Sequence, residues 1–312
     1  MGAYDVVVIG GGAAGLSAAL VLSRARRSVA VVDAGEPRNA PAAHMHGYLS
    51  RDGLRPGDLI AAGRAEVTGY GGGLVTGTVS GVSGARGLGF DVILGNGDRS
   101  TARRLVVATG LRDELPEVPG LRARWGRDVL HCPYCHGFEV RDQPLGVLGG
   151  SPESVPHALL IAQWSSDVVY FPHTTDLDEA QREQLAARGV GVVDGPVRRV
   201  VVENDQLCGV EVADGNVVRR AAVFVRPQFV PNSGLLAGLG CAVDVTGWVT
   251  VDATGATSVP GVWAAGNAVN PRAQVITAAG EGSAAAIALN ADLVDEDVQM
   301  QVHRHRTGAA LR

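Results

Sequence analysis

Tyr4-Asp5-Val6-Val7-Val8-Ile9 is a β-branched run that breaks into Gly10-Gly11-Gly12-Ala13-Ala14-Gly15 and continues at once as the Ala- and Leu-rich segment Leu16 to Ser23. That order predicts a buried strand, a tight glycine turn and a helix. A second β-rich run, Ser28 to Val32, ends in Asp33, 18 residues after Gly15, and completes a βαβ unit. Gly10, Gly12 and Gly15 then have separate tasks: a tight turn, close approach of backbone to a pyrophosphate, and close helix–strand packing. The helix start, Ala13 and Ala14, offers its N–H groups to the phosphates. Strand, helix and terminal acid together predict a bound dinucleotide. FAD and NAD both satisfy this fingerprint, so the choice depends on the rest of the chain.

At 312 residues the chain has room for two domains of about 100 to 200 residues each. Apolar residues make up 46% and charged residues 19%, which excludes both a disordered and a membrane class. The N-terminus runs straight into a strand with no secretory layout, so a cytoplasmic protein is expected. A net charge of −5 without a long basic run gives nucleic acid no electrostatic footprint, and no membrane partner is expected either. All 27 basic residues are arginine, which removes Schiff-base chemistry.

From Val75 to Leu94 short apolar runs alternate with turn residues and predict an antiparallel hairpin insertion. Leu105-Val106-Val107-Ala108-Thr109-Gly110 reads as a buried strand, and Arg112 to Gly120 as a linker. A second strand-turn-helix start follows at Leu145 to Gly150, with a helix around His157 to Trp164 and a strand at Asp167 to Phe171. Strands at Val190–Val193, Val200–Glu203, Gly209–Val212 and Val223–Val225 continue the pattern. Late in the chain Val262 to Asn267 reads as a strand entering a turn, and Ala278 to Leu293 as an Ala-rich helix. The tail from Asp295 to Arg312 is either the last helix turn with a frayed end or a segment reaching a dimer mate.

Residues 131–137 read His-Cys-Pro-Tyr-Cys-His-Gly, a CxxC pair between two histidines. In a cytosolic chain such a pair is redox-active or metal-binding before it is structural. No second CxxC or spaced histidine pair exists for zinc, so no metal is expected. Cys208 and Cys241 stand alone and read as small buried hydrophobes. His131 and His136 are placed to lower a neighbouring thiol's pKa, and His136 is the first choice for general base toward an incoming thiol. His131 serves equally well as a packing residue.

Thr257 to Asn267, ending Ala264-Ala265-Gly266-Asn267, resembles the second flavin motif of two-domain flavoprotein disulfide reductases, which usually ends in Gly-Asp. With the fingerprint, Ala108-Thr109-Gly110 and the mid-chain CxxC in the same order, nearly the whole chain resembles the low-molecular-weight thioredoxin reductases. The resemblance implies an α/β fold of two Rossmann-like, doubly wound, three-layer domains. A discontinuous FAD domain, 1–115 and 246–312, would bracket an inserted pyridine-nucleotide-type domain, 116–245, carrying the CxxC. It further implies a homodimer and FAD contacts from Gly10, Gly12, Ala13, Ala14 and Gly15, with Asp33 on the adenosine ribose. Arg38 and Asn39 would lie near adenine and Gly266 with Asn267 on pyrophosphate and ribityl oxygens, while Gln274 and Val275 would approach the isoalloxazine. Val79, Ala108, Thr109, Gly110 and His46 complete the implied contacts; His44, in the same loop as His46, is expected in solvent.

Three departures from that family stand out. His136 follows the CxxC where aspartate is usual, Gly149-Gly150-Ser151-Pro152-Glu153-Ser154 replaces a GxGxxA turn, and Phe171 to Thr175 lacks the arginines that grip a 2′-phosphate. NADPH binding is therefore in question. The same features resemble a narrower branch, the thioredoxin reductase-like dithiol oxidases that close disulfides in gliotoxin- and holomycin-type natural products. That likeness implies a small-molecule dithiol substrate, Cys132 exchanging with it, Cys135 nearer the flavin, and oxygen reduced to hydrogen peroxide. The rival expectations are an NADPH-dependent disulfide reductase acting on a protein such as thioredoxin, and a flavin-bound sensor without turnover.

Overall fold

The computed structural model describes residues 2–307; Met1 and the end of the tail, 308–312, lie outside the described residues. The chain divides into two units, one of Met1–Arg38, Gly57–Arg112 and Pro231–Arg312, the other of Asn39–Pro56 and Asp113–Val230.

In the first unit β1 (Ala3–Ile9), α1 (Ala13–Arg24) and β2 (Val29–Asp33) form the predicted βαβ unit, followed by α2 (Pro56–Gly69), β3 (Gly73–Thr76), β4 (Val79–Ala85), β5 (Gly89–Leu94) and β6 (Arg99–Val107). β3, β2, β1 and β6 lie side by side and parallel. β1 is buried on both faces: Val6 and Val8 pack with Leu16, Ala19 and Leu22 of α1, whereas Val7 and Ile9 pack with Phe90 and Val92 of β5. A strand covered on both sides needs an unbroken apolar run, which is why Val6 to Ile9 does not alternate with polar residues. The hairpin expected between Val75 and Leu94 is β4–β5, joined antiparallel to the first half of β6.

The chain leaves this unit through β7 (Leu111–Glu114), which overlaps the start of the predicted linker. The second unit contains α3 (Leu121–Arg124), β8 (Val129–Leu130), α4 (Pro133–His136), β9 (Leu145–Leu148), α5 (Ser154–Ile161), β10 (Val168–Phe171), α6 (Glu179–Ala187) and β11 (Val190–Val192). β12 (Val197–Glu203), β13 (Gln206–Val212), β14 (Val217–Arg219) and β15 (Ala222–Val225) follow. The order β11-β10-β9-β15-β8 makes a parallel sheet, and β12-β13-β14 a separate antiparallel one. Val155, Ala158 and Ile161 of α5 and Leu185 of α6 cover one face of the parallel sheet. Val200, Leu207 and Val210 of the antiparallel sheet cover the other, so this layer stack is helix, parallel sheet, antiparallel sheet.

After β16 (Gln228–Pro231) come α7 (Gly234–Gly238), β17 (Val262–Ala264), a 3-10 turn at Gly266–Ala268 and α8 (Val275–Arg306). The return falls at Pro231, ahead of the expected 246, because Leu236, Cys241 and Val249 complete the first unit's core beside Val7 and Ile9. α8 also runs well past the expected Leu293. Charge anchors its second half: Asp292 meets Arg104 at 2.5 Å, Glu296 meets Arg103 at 2.6 Å, and Asp297 meets Arg27 at 2.7 Å. A second unforeseen feature is that the Asn39–Pro56 excursion belongs to the second unit. Pro41 and Ala42 lie so close to Gly126 that a Cβ there would collide with them.

Candidate active site

In the first unit the turns after β1 and β17 converge. Gly10 has φ 104°, and a Cβ on it would strike the carbonyl of Ala108; a Cβ on Gly15 would strike the carbonyl of Gly10. Both glycines are therefore fixed by the protein's own backbone. Around Gly12, by contrast, a Cβ would meet nothing within 4 Å. Gly12 is also the N-cap of α1 and carries no side chain to cap it, so no capping side chain takes up the first-turn amides. The Gly11 N–H donates to Asp33 Oδ1 at 3.0 Å, which places that acid at the rim of the turn. Gly77 donates to the Asp33 carbonyl at 2.9 Å, bringing the start of β4 at Val79 to the same rim.

Gly266 would touch Ala14 with any Cβ, and Gly282 of α8 packs on the Ala14 backbone, so the first turn of α1 abuts the second turn of α8. Gln274 is the N-cap of α8, again with no side-chain cap bond, and precedes Val275. Asn267 donates through Nδ2 to the carbonyls of Asn270 and Ala273 at 2.9 and 3.0 Å, and Arg38 lies 3.5 Å from its Oδ1. An aspartate could not donate to those two carbonyls, which accounts for asparagine at this position. Thr109 Oγ1 donates to the Asn232 carbonyl at 2.8 Å and Asn232 returns a bond to Thr109, fixing Thr109 and Gly110. Glu281 escaped the sequence reading: it accepts from Gly266 N–H at 2.9 Å and Asn270 Nδ2 at 2.6 Å. Its only signal was an acid between Gly280 and Gly282 in an otherwise small-residue helix. The open cradle at Gly12 and two uncapped helix starts fit a dinucleotide with two phosphates. Asn39 and His46 belong to the other unit, and the first unit brings its residues together without them.

In the second unit Cys132 and Cys135 form a disulfide with Cα atoms 5.2 Å apart, so the pair stands in its oxidised form. Cys132 caps α4, and its carbonyl accepts from the N–H groups of Cys135 and His136, both at 3.1 Å. Burial pushes the His136 imidazole below its ordinary pKa; Glu139 opposes this and His46 adds to it. His136 is therefore neutral near neutral pH and can accept a proton. The ring of His131 is engaged elsewhere: Nδ1 donates to the Val225 carbonyl at 3.2 Å, and Phe229 stacks edge-on at 5.1 Å. His46 Nδ1 sits 3.2 Å from Asp52, and its Nε2 is 3.5 Å from Glu139. His44 is exposed, as expected of a loop histidine. Among the described residues no cluster suited to a metal occurs.

Of the isolated cysteines, Cys241 is buried as read and Cys208 is only half-buried. Cys241 belongs to the first unit's core, and burial, with Glu203 nearby, pushes the Cys208 thiol up and disfavours its thiolate.

The turn between β9 and α5 closes on itself. Ser151 N–H donates to Ser154 Oγ at 3.1 Å, Ser154 N–H returns a bond to the Ser151 carbonyl at 3.1 Å, and Ser154 is 1% exposed. Glu153 is exposed at the mouth of this turn, where a pyrophosphate would meet its charge. These residues do not fit a nicotinamide nucleotide held by conventional contacts.

The model of the pyridine nucleotide-disulphide oxidoreductase family matches residues 4–282. Thioredoxin reductase sirT of Leptosphaeria maculans is 30% identical over 313 residues, covering 95% of this chain and 96% of that protein. The crystal structure of HlmI matches with a TM-score of 0.95 and 57% identity, over 98% of this chain and 97% of that one. The structure of an oxidoreductase from Agrobacterium tumefaciens matches with a TM-score of 0.88 and 39% identity, over 93% of this chain and 98% of that one. The chain belongs to the pyridine nucleotide-disulphide oxidoreductase family. Within it, this is an FAD-dependent disulfide oxidoreductase of the thioredoxin reductase-like type. Among the described residues no helix is long and apolar enough to cross a membrane.

Proposed function

We propose that the protein oxidises a small-molecule dithiol to an intramolecular disulfide, with oxygen as the final acceptor and hydrogen peroxide as the by-product. The closed β9–α5 turn carries this reading. A reductase needs a nucleotide to deliver electrons, and here Ser151, Ser154 and Glu153 occupy or repel the place where its pyrophosphate would bind. The CxxC is then fed from the substrate side. The substrate thiolate attacks Sγ of Cys132, Cys135 leaves as thiolate, and the second substrate thiolate resolves the mixed disulfide. His136, neutral and adjacent, takes the thiol proton. When bound, FAD supplies a two-electron acceptor that oxygen reoxidises with release of hydrogen peroxide. Gly10, Gly12, Ala13, Ala14, Gly15, Asp33, Arg38, Ala108, Thr109, Gly110, Gly266, Asn267, Gln274 and Val275 would hold it, with Val79 at the rim.

Oxygen consumption by the purified yellow protein, fed a small dithiol with and without NADPH, tests the proposal. Uptake driven by dithiol, unchanged by NADPH and matched by peroxide, is expected. NADPH-dependent disulfide reduction without oxygen uptake would mean that the protein is a reductase with an atypical nucleotide site.

A further inference from the structure

Oxidising a dithiol at Cys132–Cys135 transfers two electrons to that disulfide and leaves two thiol protons to be placed. The bonds balance within the protein: the Cys132–Cys135 bond breaks, a substrate disulfide forms, and two cysteine thiols result. A base beside the pair must take a proton and give it back, so its proton affinity matters in both directions. His136 is the imidazole in that position, and its surroundings come from two separate stretches of chain. Glu139 lies three residues after it; His46 comes from the Asn39–Pro56 excursion.

That excursion is built to hold His46 in place. Met45 is 5% exposed, its N–H donates to the Leu54 carbonyl, and its carbonyl accepts from Gly53, both at 2.9 Å, so the loop is closed at its neck. Asp52 accepts from Gly47 N–H at 2.8 Å and faces His46 Nδ1 at 3.2 Å. The other ring nitrogen of His46 is 3.5 Å from Glu139 Oε1. A histidine bracketed by two carboxylates, one of them beside another histidine, is a chain of titratable groups with one end in the loop and the other at the CxxC.

We propose that Asp52, His46 and Glu139 are positioning residues that act through His136, setting its readiness to take the substrate's thiol proton at Cys132–Cys135. The charged groups facing His136 are Glu139 from its own segment and His46 from the loop, with Asp52 behind His46; the two cysteines, being bonded, do not titrate. Glu139 favours the His136 imidazolium and His46 disfavours it, so their removal has opposite effects. Without Glu139 the imidazolium loses a favourable neighbour; without His46 it loses an unfavourable one and gains an unshared Glu139. The inference rests on His136 being the base, and the experiment separates the two claims.

The flavin-loaded full chain, in its disulfide form, is mixed anaerobically with dithiothreitol from about pH 5 to about pH 8.5, a window that spans imidazole titration. Loss of the Cys132–Cys135 disulfide is read by quenching and alkylation. Comparison with wild type cancels the pH dependence of the reagent itself. His136→Gln is expected to slow exchange on the order of 100-fold and to remove the wild-type inflection. Glu139→Gln is expected to move the inflection to lower pH, and His46→Gln to higher pH, with melting temperatures near wild type. His46→Asn repeats the test with a shorter side chain. If His136→Gln keeps the wild-type profile, the base assignment falls and the proposal with it. If His136→Gln loses the inflection while Glu139→Gln and His46→Gln leave it in place or move it the same way, the chain is structural and the proposal is overturned.

Discussion

His157 shows at the scale of one residue how a buried imidazole ties the segment leading into the disulfide to the neighbouring helix. It is 5% exposed on α5, and its Nε2 donates to the His131 carbonyl at 2.9 Å, one residue before Cys132. Its Nδ1 is buried without a partner among the described residues. Burial, with the positive potential of His131 and Arg226, brings its pKa down to about 4 from 6.5, against the bond to the His131 carbonyl. A depressed folded value means the neutral form belongs to the fold. Stability is then complete above pH 6.5 and declines as pH falls toward 4, by roughly 3 kcal/mol across that window. His157→Gln keeps an amide donor and does not titrate, so its urea-unfolding free energy is expected to fall less between pH 7 and pH 4.5 than wild type's. Equal slopes would place the acid sensitivity of that window at groups other than His157; Glu296 and Asp297 act only at lower pH. Burial pushes both carboxyls up, but bonds to Arg103 for Glu296, and to Arg27 and Arg103 for Asp297, outweigh it and hold them below their ordinary values, so their contribution is lost at lower pH.

Elements of secondary structure were legible to different degrees, and the fingerprint explains why. β1, α1 and β2 are neighbours in sequence and in space, so apolar periodicity and glycine spacing define them together. Gly12 and Gly15 nonetheless play different parts that no spacing distinguishes. A Cβ at 15 meets the protein's own Gly10 carbonyl, whereas at 12 it meets empty space. Gly15→Ala is accordingly expected to lower thermal stability with or without flavin. Gly12→Ala should leave the apoprotein's melting temperature unchanged while lowering the bound flavin-to-protein ratio. An apoprotein destabilised equally by both substitutions would show that Gly12 serves the turn and no ligand. The features that sequence did not disclose are those joined by polar contacts between different segments of chain. Glu281 on Gly266, Asp292 on Arg104 and His46 on Glu139 have no periodicity to announce them, and the long α8 depends on such contacts for its second half.

At the scale of the whole molecule, the cofactor cradle and the dithiol lie in different units, each with its own core: Val6 to Ile9 and Leu236 in the first, Leu145 to Leu148 and Ile161 in the second. Neither Cys132 nor Cys135 contributes to the contacts that shape the turns at Gly10, Gly12, Gly266 and Asn267. Cofactor retention and thiol chemistry are therefore separable by mutation. Cys132→Ser and Cys135→Ser are each expected to purify yellow, with a flavin-to-protein ratio equal to wild type, while dithiol-driven oxygen uptake is lost. The losses should differ in kind, because exchange at Cys132 needs only a thiol there and a disulfide to attack. With Cys135→Ser, the remaining Cys132 thiol should still form a mixed disulfide with an oxidised substrate analogue, visible as added mass; with Cys132→Ser that adduct should be absent. An adduct on Cys135 in its place would reverse the assignment of the two sulfurs, and turnover retained in either variant would remove the dithiol from the reaction.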